Sequence, residues 1–129
     1  MPTLQLKISP PQSAERLGLL ARRLTDLTHA VLGKRREVTA VVIEELWPGR
    51  WFIAGRGVRG ATALLEIRVT RGTNTEAEKQ AFVAAAWEEL QQQLGPLEEA
   101  SYVVVQEVAA TDWGYGGRTQ AQRRAAVAA

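Results

Sequence analysis

The residue with the clearest chemical potential is Pro2, which directly follows Met1. Proline has no backbone N–H to give to a strand ladder, and within sheets it is tolerated mainly at the first residue of a strand. The simple interpretation, favoured by the first eight residues alone, is that Pro2 begins an edge strand. The alternative requires removal of Met1, because Pro2 would then carry a free secondary amine able to act as a general base.

Two segments combine aromatic, glycine and arginine residues. They are WPGRWFIAGRG (47–57) and ATDWGYGGRT (110–119), and they hold all of the tryptophans except Trp87. Glycine permits turns and close backbone approach, so both segments predict β-hairpins with aromatic anchors. An aromatic wall with arginines nearby also suits a small planar acid. The two interpretations are compatible.

Composition narrows the function classes. The 129 residues are 46% hydrophobic and 23% charged, with a net charge of +2, which predicts one globular domain. Cysteine is absent, so disulfides and thiolate chemistry are excluded.

No cluster of residues in the sequence has metal-ligand spacing, and GRGVRG (55–60) does not precede a helix as a phosphate-binding loop must. The basic residues are scattered, which predicts that the protein does not bind nucleic acid. The lack of a leader or a long apolar run predicts a cytoplasmic protein without membrane contact.

A repeat with a constant offset of 62 positions divides the chain into two similar units. Self-similarity at a fixed period indicates a repeated structural unit. We therefore expect a single domain, 1–129, built from units at about 2–57 and 61–119 and followed by a short C-terminal tail at 120–129. The matched pairs are Ser13 and Thr75, Gly33 and Gly95, Glu45 and Glu107, Trp51 and Trp113, and Gly55 and Gly117.

Each unit reads as strand, helix, strand. LQLKI (4–8) and LLEIRVT (64–70) alternate apolar and polar residues, as half-buried strands do. TAVVIEEL (39–46) and YVVVQEV (102–108) are near-continuous apolar runs, which are typical of strands covered on both faces. A β-α-β unit joins parallel strands by a right-handed crossover.

The helices have clear boundary signals. They are predicted from Ser13 to Leu32 and from Thr75 to Leu94, and Thr75-x-x-Glu78 is a capping-box pattern. Gly33 and Gly95 suit the left-handed position after a helix. The two units predict an α+β fold, with tandem β-α-β units forming a four-stranded mixed sheet and both helices on one face. The other face needs covering, which predicts self-association.

Pro2 after Met1, the β-α-β unit and the aromatic-glycine hairpin together resemble the tautomerase superfamily, whose prototype is 4-oxalocrotonate tautomerase. VVIEELWPGRWFIAGRG (41–57) looks like the prototype's second strand and hairpin. The doubled length resembles the fused members, and VVVQEVAATDWGYGG (103–117) is closest to malonate semialdehyde decarboxylase. The resemblance implies a tautomerase/MIF-like fold, a homotrimer, no cofactor or metal, and catalysis by the Pro2 amine on a small carboxylic or keto acid.

The resemblance also implies roles for particular residues. Arg71 best matches the carboxylate-binding arginine of the fused relatives, Arg68 lies nearby, and Thr73 stands where a second arginine is expected. His29 aligns with a histidine of the cis-3-chloroacrylic acid dehalogenase group, although a lone helical histidine is more often structural. The hairpin residues of the implied substrate site are Trp51, Trp113 and Tyr115.

Some positions depart from the family pattern. Gln12 and Ala40 stand where the prototype has arginines, which weakens the similarity to its dicarboxylate substrate. Glu37 lies near the acidic position of the decarboxylase but is expected to face solvent. Glu45 and Glu107 occur at the same place in both units, which favours a structural role.

Three functions remain open at this point. The leading hypothesis is a tautomerase in which Pro2 shuttles a proton on a small keto/enol or unsaturated carboxylic acid. The second is a hydratase, dehalogenase or decarboxylase of three-carbon acids that uses a protonated proline. The third is a non-catalytic trimeric relative that serves as a binding module, and the missing arginines add weight to it.

Overall fold

The predicted four-stranded mixed sheet with two helices on one face is confirmed. The structure is a computed structural model that describes residues 2–128. None of the helices in this range has the length and apolar character that a membrane span requires. The elements are β1 (Thr3–Ser9), α1 (Ala14–Leu32), β2 (Ala40–Glu45), β3 (Phe52–Ile53), β4 (Arg56–Gly57), β5 (Thr62–Thr70), α2 (Glu76–Leu94), β6 (Tyr102–Val108), β7 (Gly114–Tyr115), β8 (Arg118–Thr119) and α3 (Gln120–Ala128).

The strand order β2-β1-β5-β6 places the first strands of both units in the middle of the sheet. β1 pairs in parallel with β2 and β5 in parallel with β6, as each β-α-β unit requires. β1 and β5 pair antiparallel, with Thr3 opposite Arg68. The start of β1 and the end of β5 therefore lie at one end of the sheet. We call this the Pro2 end, and the opposite one the far end.

The core lies between the sheet and the helices. Leu4, Leu6 and Ile8 of β1 are fully buried, as are Leu65, Ile67 and Val69 of β5. The helices contribute Leu20, Leu24, Phe82, Ala86 and Leu90 to the same cluster. Full burial of one such large side chain is worth about 1.5–3 kcal/mol, so this face holds the sheet and helices together.

The helix starts agree with the sequence prediction. Ser13 Oγ accepts a hydrogen bond from the backbone of Arg16 at 3.1 Å, which caps α1. In α2 the predicted capping box is complete, with Thr75 N donating to Glu78 Oε1 at 2.8 Å and Glu78 N donating to Thr75 Oγ1 at 3.1 Å. The hydrogen bond from Thr75 N is the main reason that the pKa of Glu78 is lowered.

The predicted left-handed conformation after the helix is confirmed only for α1. Gly33 has the left-handed conformation expected of it, with φ 69° and ψ 23°. The prediction for Gly95 is wrong, because φ is 89° but ψ is −177°. Pro96 follows Gly95 directly, and steric clash with a proline ring pushes the preceding residue towards extended ψ values.

Replacing Thr75 by alanine should lower the free energy of unfolding by about 0.5–2 kcal/mol, because the amide of Glu78 loses its side-chain acceptor at the start of α2. Chemical denaturation measures the loss. Glu78→Gln is the matched control: its amide oxygen can still accept from Thr75 N, so the cost should be smaller. Equal costs for the two variants would contradict the contribution assigned to the Thr75 hydroxyl.

The sheet face opposite the helices, here called the open face, is mixed in character. Its edge strands present exposed apolar residues, with Val42 55%, Val104 39% and Tyr102 63% exposed. The expectation that both second strands are covered on two faces is therefore wrong for the single chain. The central strands place polar residues on this face, because the register alternates with the buried core positions. They are Thr3, Gln5, Lys7, Glu66 and Arg68.

The repeat extends to the hydrogen bonds beyond the sheet. Each hairpin is closed by a bond to its tryptophan carbonyl, from Val58 N to Trp51 O at 2.8 Å and from Gln120 N to Trp113 O at 2.9 Å. Glu45 accepts from the backbone of Gln12, and Glu107 accepts from that of Gly72 at 3.4 Å, in line with the structural role expected of both glutamates.

Residues 120–129, treated as a short tail in the sequence, include the helix α3. Its first turn is capped reciprocally, because Gln122 N donates to Thr119 Oγ1 at 3.0 Å and Thr119 N donates to Gln122 Oε1 at 2.8 Å. The backbone of Ala121 also donates to Ala110 O at 2.9 Å. These bonds fasten α3 beside the second hairpin, at the Pro2 end.

Candidate active site

Pro2 is buried at the start of the central strand β1. Its carbonyl oxygen accepts a hydrogen bond from Ala40 N at 3.4 Å, which joins it to the start of β2. Thr3 lies opposite Arg68 in the antiparallel pair of β1 and β5. Pro2, the residue before Thr3, is therefore level with Val69, near the end of β5. The predicted removal of Met1 concerns a residue outside the described range.

The two candidate arginines occupy different positions at this end. Arg71 directly follows β5, is exposed, and donates its backbone N–H to Val108 O at 2.9 Å. Arg68 lies within β5 on the open face, at alternate positions with the buried Ile67 and Val69. Pro2, which precedes β1, is buried like Leu4, whereas Arg68 is on the open face. Arg71 lies beyond the end of β5, so the alternation of residues along the strand does not assign it to either face of the sheet.

Trp113 comes to the Pro2 end, as the second hairpin (β7–β8) follows β6. Its indole Nε1 donates to Thr70 Oγ1 at 3.2 Å, and Thr70 is only 3% exposed. Tyr115, in the same hairpin, is covered by Arg123, whose guanidinium carbon lies 3.7 Å from the ring centroid. This cation–π contact occupies one face of the Tyr115 ring, whereas Trp113 is fixed beside β5.

Trp51 does not join these residues within one chain. It follows β2, whose end lies at the far end of the sheet, and it lines a shallow cavity of about 270 Å³ there with Leu64 and Tyr102. Gln12 also lies at the far end, where its side chain donates to Pro10 O at 3.1 Å. The antiparallel pairing of β1 and β5 is the reason that the two hairpins lie at opposite ends.

His29 lies near the end of α1 and is exposed. Its Nδ1 is 2.9 Å from Lys34 O, and because a carbonyl oxygen only accepts, Nδ1–H is the donor. This bond fixes the loop that leaves the helix, which is a structural role. The other ring nitrogen, Nε2, is a hydrogen-bond acceptor in this tautomer.

The structure adds Lys34, which was not singled out in the sequence. It is only 8% exposed, and its Nζ donates to Thr73 Oγ1 at 2.7 Å. Burial is the main cause that lowers its pKa, and the positive charge of Arg124 acts in the same direction. Thr73 is the position where a second carboxylate-binding arginine was expected, and a lysine from another loop supplies positive charge there.

Two acidic residues at the Pro2 end, Glu107 and Glu37, form ion pairs with nearby cations. Glu107 pairs with Lys79 at 3.2 Å, and the hydrogen bond from Lys79 is the main reason that its pKa is lowered. Glu37 is exposed and pairs with Arg35 at 3.5 Å, as the solvent-facing interpretation predicted. No group of three or more histidine or acidic residues within 2–128 is arranged to hold a metal ion.

The Pro2 end thus combines the buried Pro2, an indole and cationic side chains. Arginine and lysine are the residues that bind carboxylates through charge-assisted hydrogen bonds. An amine at the start of β1 would lie at the same end of the sheet as these cations, and a positioned amine can move a proton on a bound acid. The arrangement can therefore bind a small anionic molecule and carry out acid–base chemistry on it.

Comparison with known proteins identifies a family match and similar folds. Residues 2–60 match the tautomerase family, described as tautomerase enzyme. Among solved structures, native fused 4-OT is 25% identical with a TM-score of 0.85, covering 93% of this chain and 97% of that one. A wild-type fused 4-OT that forms an asymmetric trimer is 25% identical with a TM-score of 0.86, covering 95% and 98%.

A member of the cis-3-chloroacrylic acid dehalogenase family has the same fold, with 19% identity and a TM-score of 0.81, covering 98% of this chain and 90% of that one. A search of curated proteins finds no match. The family match covers the first β-α-β unit, and the structural matches cover both units. The first β-α-β unit therefore matches the tautomerase family, and the chain as a whole has the two-unit fold of the fused 4-OT structures.

Proposed function

We propose that this protein is a cofactor-independent tautomerase in which Pro2, freed by removal of Met1, shuttles a proton on a small keto/enol or unsaturated carboxylic acid. The observation that carries the proposal is the position of Pro2: it is buried at the start of β1, at the sheet end where Arg71, Lys34 and Trp113 also lie. The cations bind the carboxylate, and the indole provides an apolar wall.

The charges around Pro2 favour tautomerase chemistry over the alternatives. Positive charge near an amine favours its neutral form, which is the form that accepts a proton. Hydration, dehalogenation or decarboxylation would instead use a protonated proline. Glu37, the acidic residue suggested by the decarboxylase resemblance, is exposed and paired with Arg35, which counts against decarboxylation.

The proposal is tested by assaying the purified protein with three substrate classes. Phenylpyruvate enol and 2-hydroxymuconate report tautomerisation, and 3-halopropenoates report dehalogenation. We expect turnover of at least one enol and slower or no turnover of the halopropenoates. Faster turnover of the halopropenoates would favour the second function. Inactivity towards all three classes, equal in the wild type and in Pro2→Ala, would favour the non-catalytic binding module.

We propose in addition that the protein is a homotrimer. The apolar residues on the open face and the unpaired edges of β2 and β6 support self-association. Closed cyclic symmetry is the usual arrangement of soluble oligomers. Physical reasoning alone would allow a dimer with two open faces in contact, and the trimers among the similar structures are the reason for choosing three.

Arg71→Ala should raise KM for a carboxylate substrate about 10-fold, because a charge-assisted hydrogen bond contributes roughly 1.5–3 kcal/mol. Steady-state kinetics with phenylpyruvate enol measures the change. Gln12→Ala, at the far end, and Arg22→Ala, on α1, are controls expected to leave KM nearly unchanged. Equal effects from all three substitutions would remove Arg71 from the site.

A further inference from the structure

The second hairpin, β7–β8, is too short to keep its position at the Pro2 end without further contacts. It pairs only Gly114 with Thr119 and Tyr115 with Arg118. An isolated two-stranded hairpin is marginally stable at best in water, so contacts outside the hairpin must fix it. Its position determines the shape of the proposed site, because Trp113, the apolar wall, directly precedes β7.

Arg123 of α3 binds the turn of this hairpin through two hydrogen bonds and a cation–π contact. Its Nε and Nη2 atoms donate to Tyr115 O at 3.3 and 2.9 Å. Its guanidinium carbon lies 3.7 Å from the centroid of the Tyr115 ring. A Cβ atom added to Gly116 would lie 2.6 Å from Nη2, so the guanidinium lies directly against the turn. One side chain therefore binds both the backbone and the ring of Tyr115.

The helix that carries Arg123 is itself fixed to the segment that leads into the hairpin. Ala121 N donates to Ala110 O at 2.9 Å, and Gln120 N donates to Trp113 O at 2.9 Å. The reciprocal cap of α3 starts the helix directly after β8. Arg123 therefore projects from a fixed helix, and its contacts restrain the turn of the hairpin relative to that helix.

The first hairpin, β3–β4, differs from the second in the element that follows it. The first is followed by β5, whereas the second is followed by α3. Their turns are similar, because Ala54 and Gly55 have positive φ values of 54° and 74°. The corresponding residues of the second hairpin, Gly116 and Gly117, have φ values of 63° and 78°. The hairpin at the Pro2 end of its own chain is therefore the one that a following helix holds.

Trp113 connects the hairpin to the end of β5. Its indole Nε1 donates to Thr70 Oγ1 at 3.2 Å, and Thr70 is almost completely buried. Thr70 follows Val69, the residue level with Pro2. This single bond orients the indole only while the hairpin stays beside β5. If the hairpin moved away, the apolar wall would leave the site with it.

We propose that Arg123 is a positioning residue: it holds the second hairpin, and with it the Trp113 indole, at the end of the sheet where the acid binds. The inference rests on the proposed function and deepens it, because it makes α3 part of the binding site. The ligand class is a small acid whose apolar part lies against the indole. Arg123 acts through Tyr115 and not on the acid itself.

Loss of the Arg123 contacts should weaken binding of the acid without slowing the chemistry. When only a fraction of the molecules holds the binding conformation, the apparent Kd rises in inverse proportion to that fraction. Hydrogen bonds from a charged donor are roughly twice as strong as those between neutral groups, so without them the hairpin should be displaced in most molecules. Saturating acid restores the bound arrangement, and kcat therefore changes little.

The test is a binding measurement that needs no turnover, made by isothermal titration calorimetry with 3-phenylpropanoate, an inert acid with an aromatic ring. Arg123→Ala should raise Kd about 10-fold. Arg123→Lys keeps the charge but lacks the planar fork that binds the carbonyl and covers the ring, so its Kd should lie between the two. Arg118→Ala is the matched control, because Arg118 is an exposed arginine of the same hairpin and belongs to none of the ion pairs within residues 2–128. It should change Kd less than about twofold.

Hydrogen exchange of the Gln120 and Ala121 amides provides a second measurement, since both donate to the segment that leads into the hairpin. Exchange should be at least about fivefold faster in Arg123→Ala and should slow again when the acid is added.

Four results would overturn the proposal. Faster exchange with an unchanged Kd would make Arg123 purely structural, and an equal loss of affinity in Arg118→Ala would indicate a general charge effect. Wild-type affinity in both Arg123 variants, or no binding of the acid by the wild type, would overturn it as well. If Pro2→Ala retains full activity, the proposed mechanism fails, yet the binding of an inert acid still reports on Arg123.

Discussion

Replacing Pro2 by alanine is expected to lower kcat/KM by ~10²-fold or more, the lower end of what a positioned general acid or base contributes. The proline ring fixes φ near −65°, so a free secondary amine at the start of β1 has a defined direction. Alanine leaves a primary amine that can rotate. The variant should keep the fold, because the single hydrogen bond of Pro2 uses its carbonyl oxygen, which alanine retains.

Kinetics with the best substrate of the panel measure this loss, and circular dichroism with light scattering checks that the variant is folded and assembled. Pro96→Ala is the matched control, since Pro96 is exposed, lies after α2 and belongs to the far end. It should retain nearly full activity. Comparable activities of Pro2→Ala and the wild type would remove Pro2 from the chemistry.

The second large effect is expected for Val104→Asp, which should convert the proposed trimer into single chains. Val104 lies on the open face in an edge strand, opposite Glu66 in the register. An interface would have to bury the new carboxylate next to an existing one, and an unpaired buried charge costs several kcal/mol. That cost, repeated in every subunit, exceeds the apolar contribution of one valine, which is about 1.5–3 kcal/mol.

Light scattering at micromolar concentration measures the mass. We expect the wild type at three times the 14.1 kDa of one chain and Val104→Asp at 14.1 kDa. Val83→Asp is the control: Val83 is similarly exposed, at 36%, but lies on α2 away from the open face. It should remain trimeric. A wild-type mass of one or two chains would refute the trimer.

The features that the sequence predicted well depend on short-range patterns. The caps at Ser13 and Thr75 are set by residues three positions apart, and α1 follows from apolar residues at helical spacing. Gly95 shows the limit of such patterns: Gly33 and Gly95 have the same place in the repeat, but the proline after Gly95 changes its ψ.

The features that the sequence did not predict depend on long-range pairing. Lys34 is buried because it reaches Thr73, a residue 39 positions away, and nothing near Lys34 in the chain indicates this contact. Trp51 and Trp113 occupy equivalent places in the repeat. The antiparallel pairing of β1 and β5 nevertheless sends them to opposite ends of the sheet. Only Trp113 therefore lies at the Pro2 end of its own chain.

The central claim is that the free amine of Pro2 is the acid–base group, and the mass of the intact protein tests it most directly. The mass should be measured on the preparation that is assayed, because a retained methionine makes the Pro2 nitrogen an amide that cannot accept a proton. The account predicts that active protein has lost one methionine residue from its mass. Full activity in a preparation whose chains all retain Met1 would contradict it.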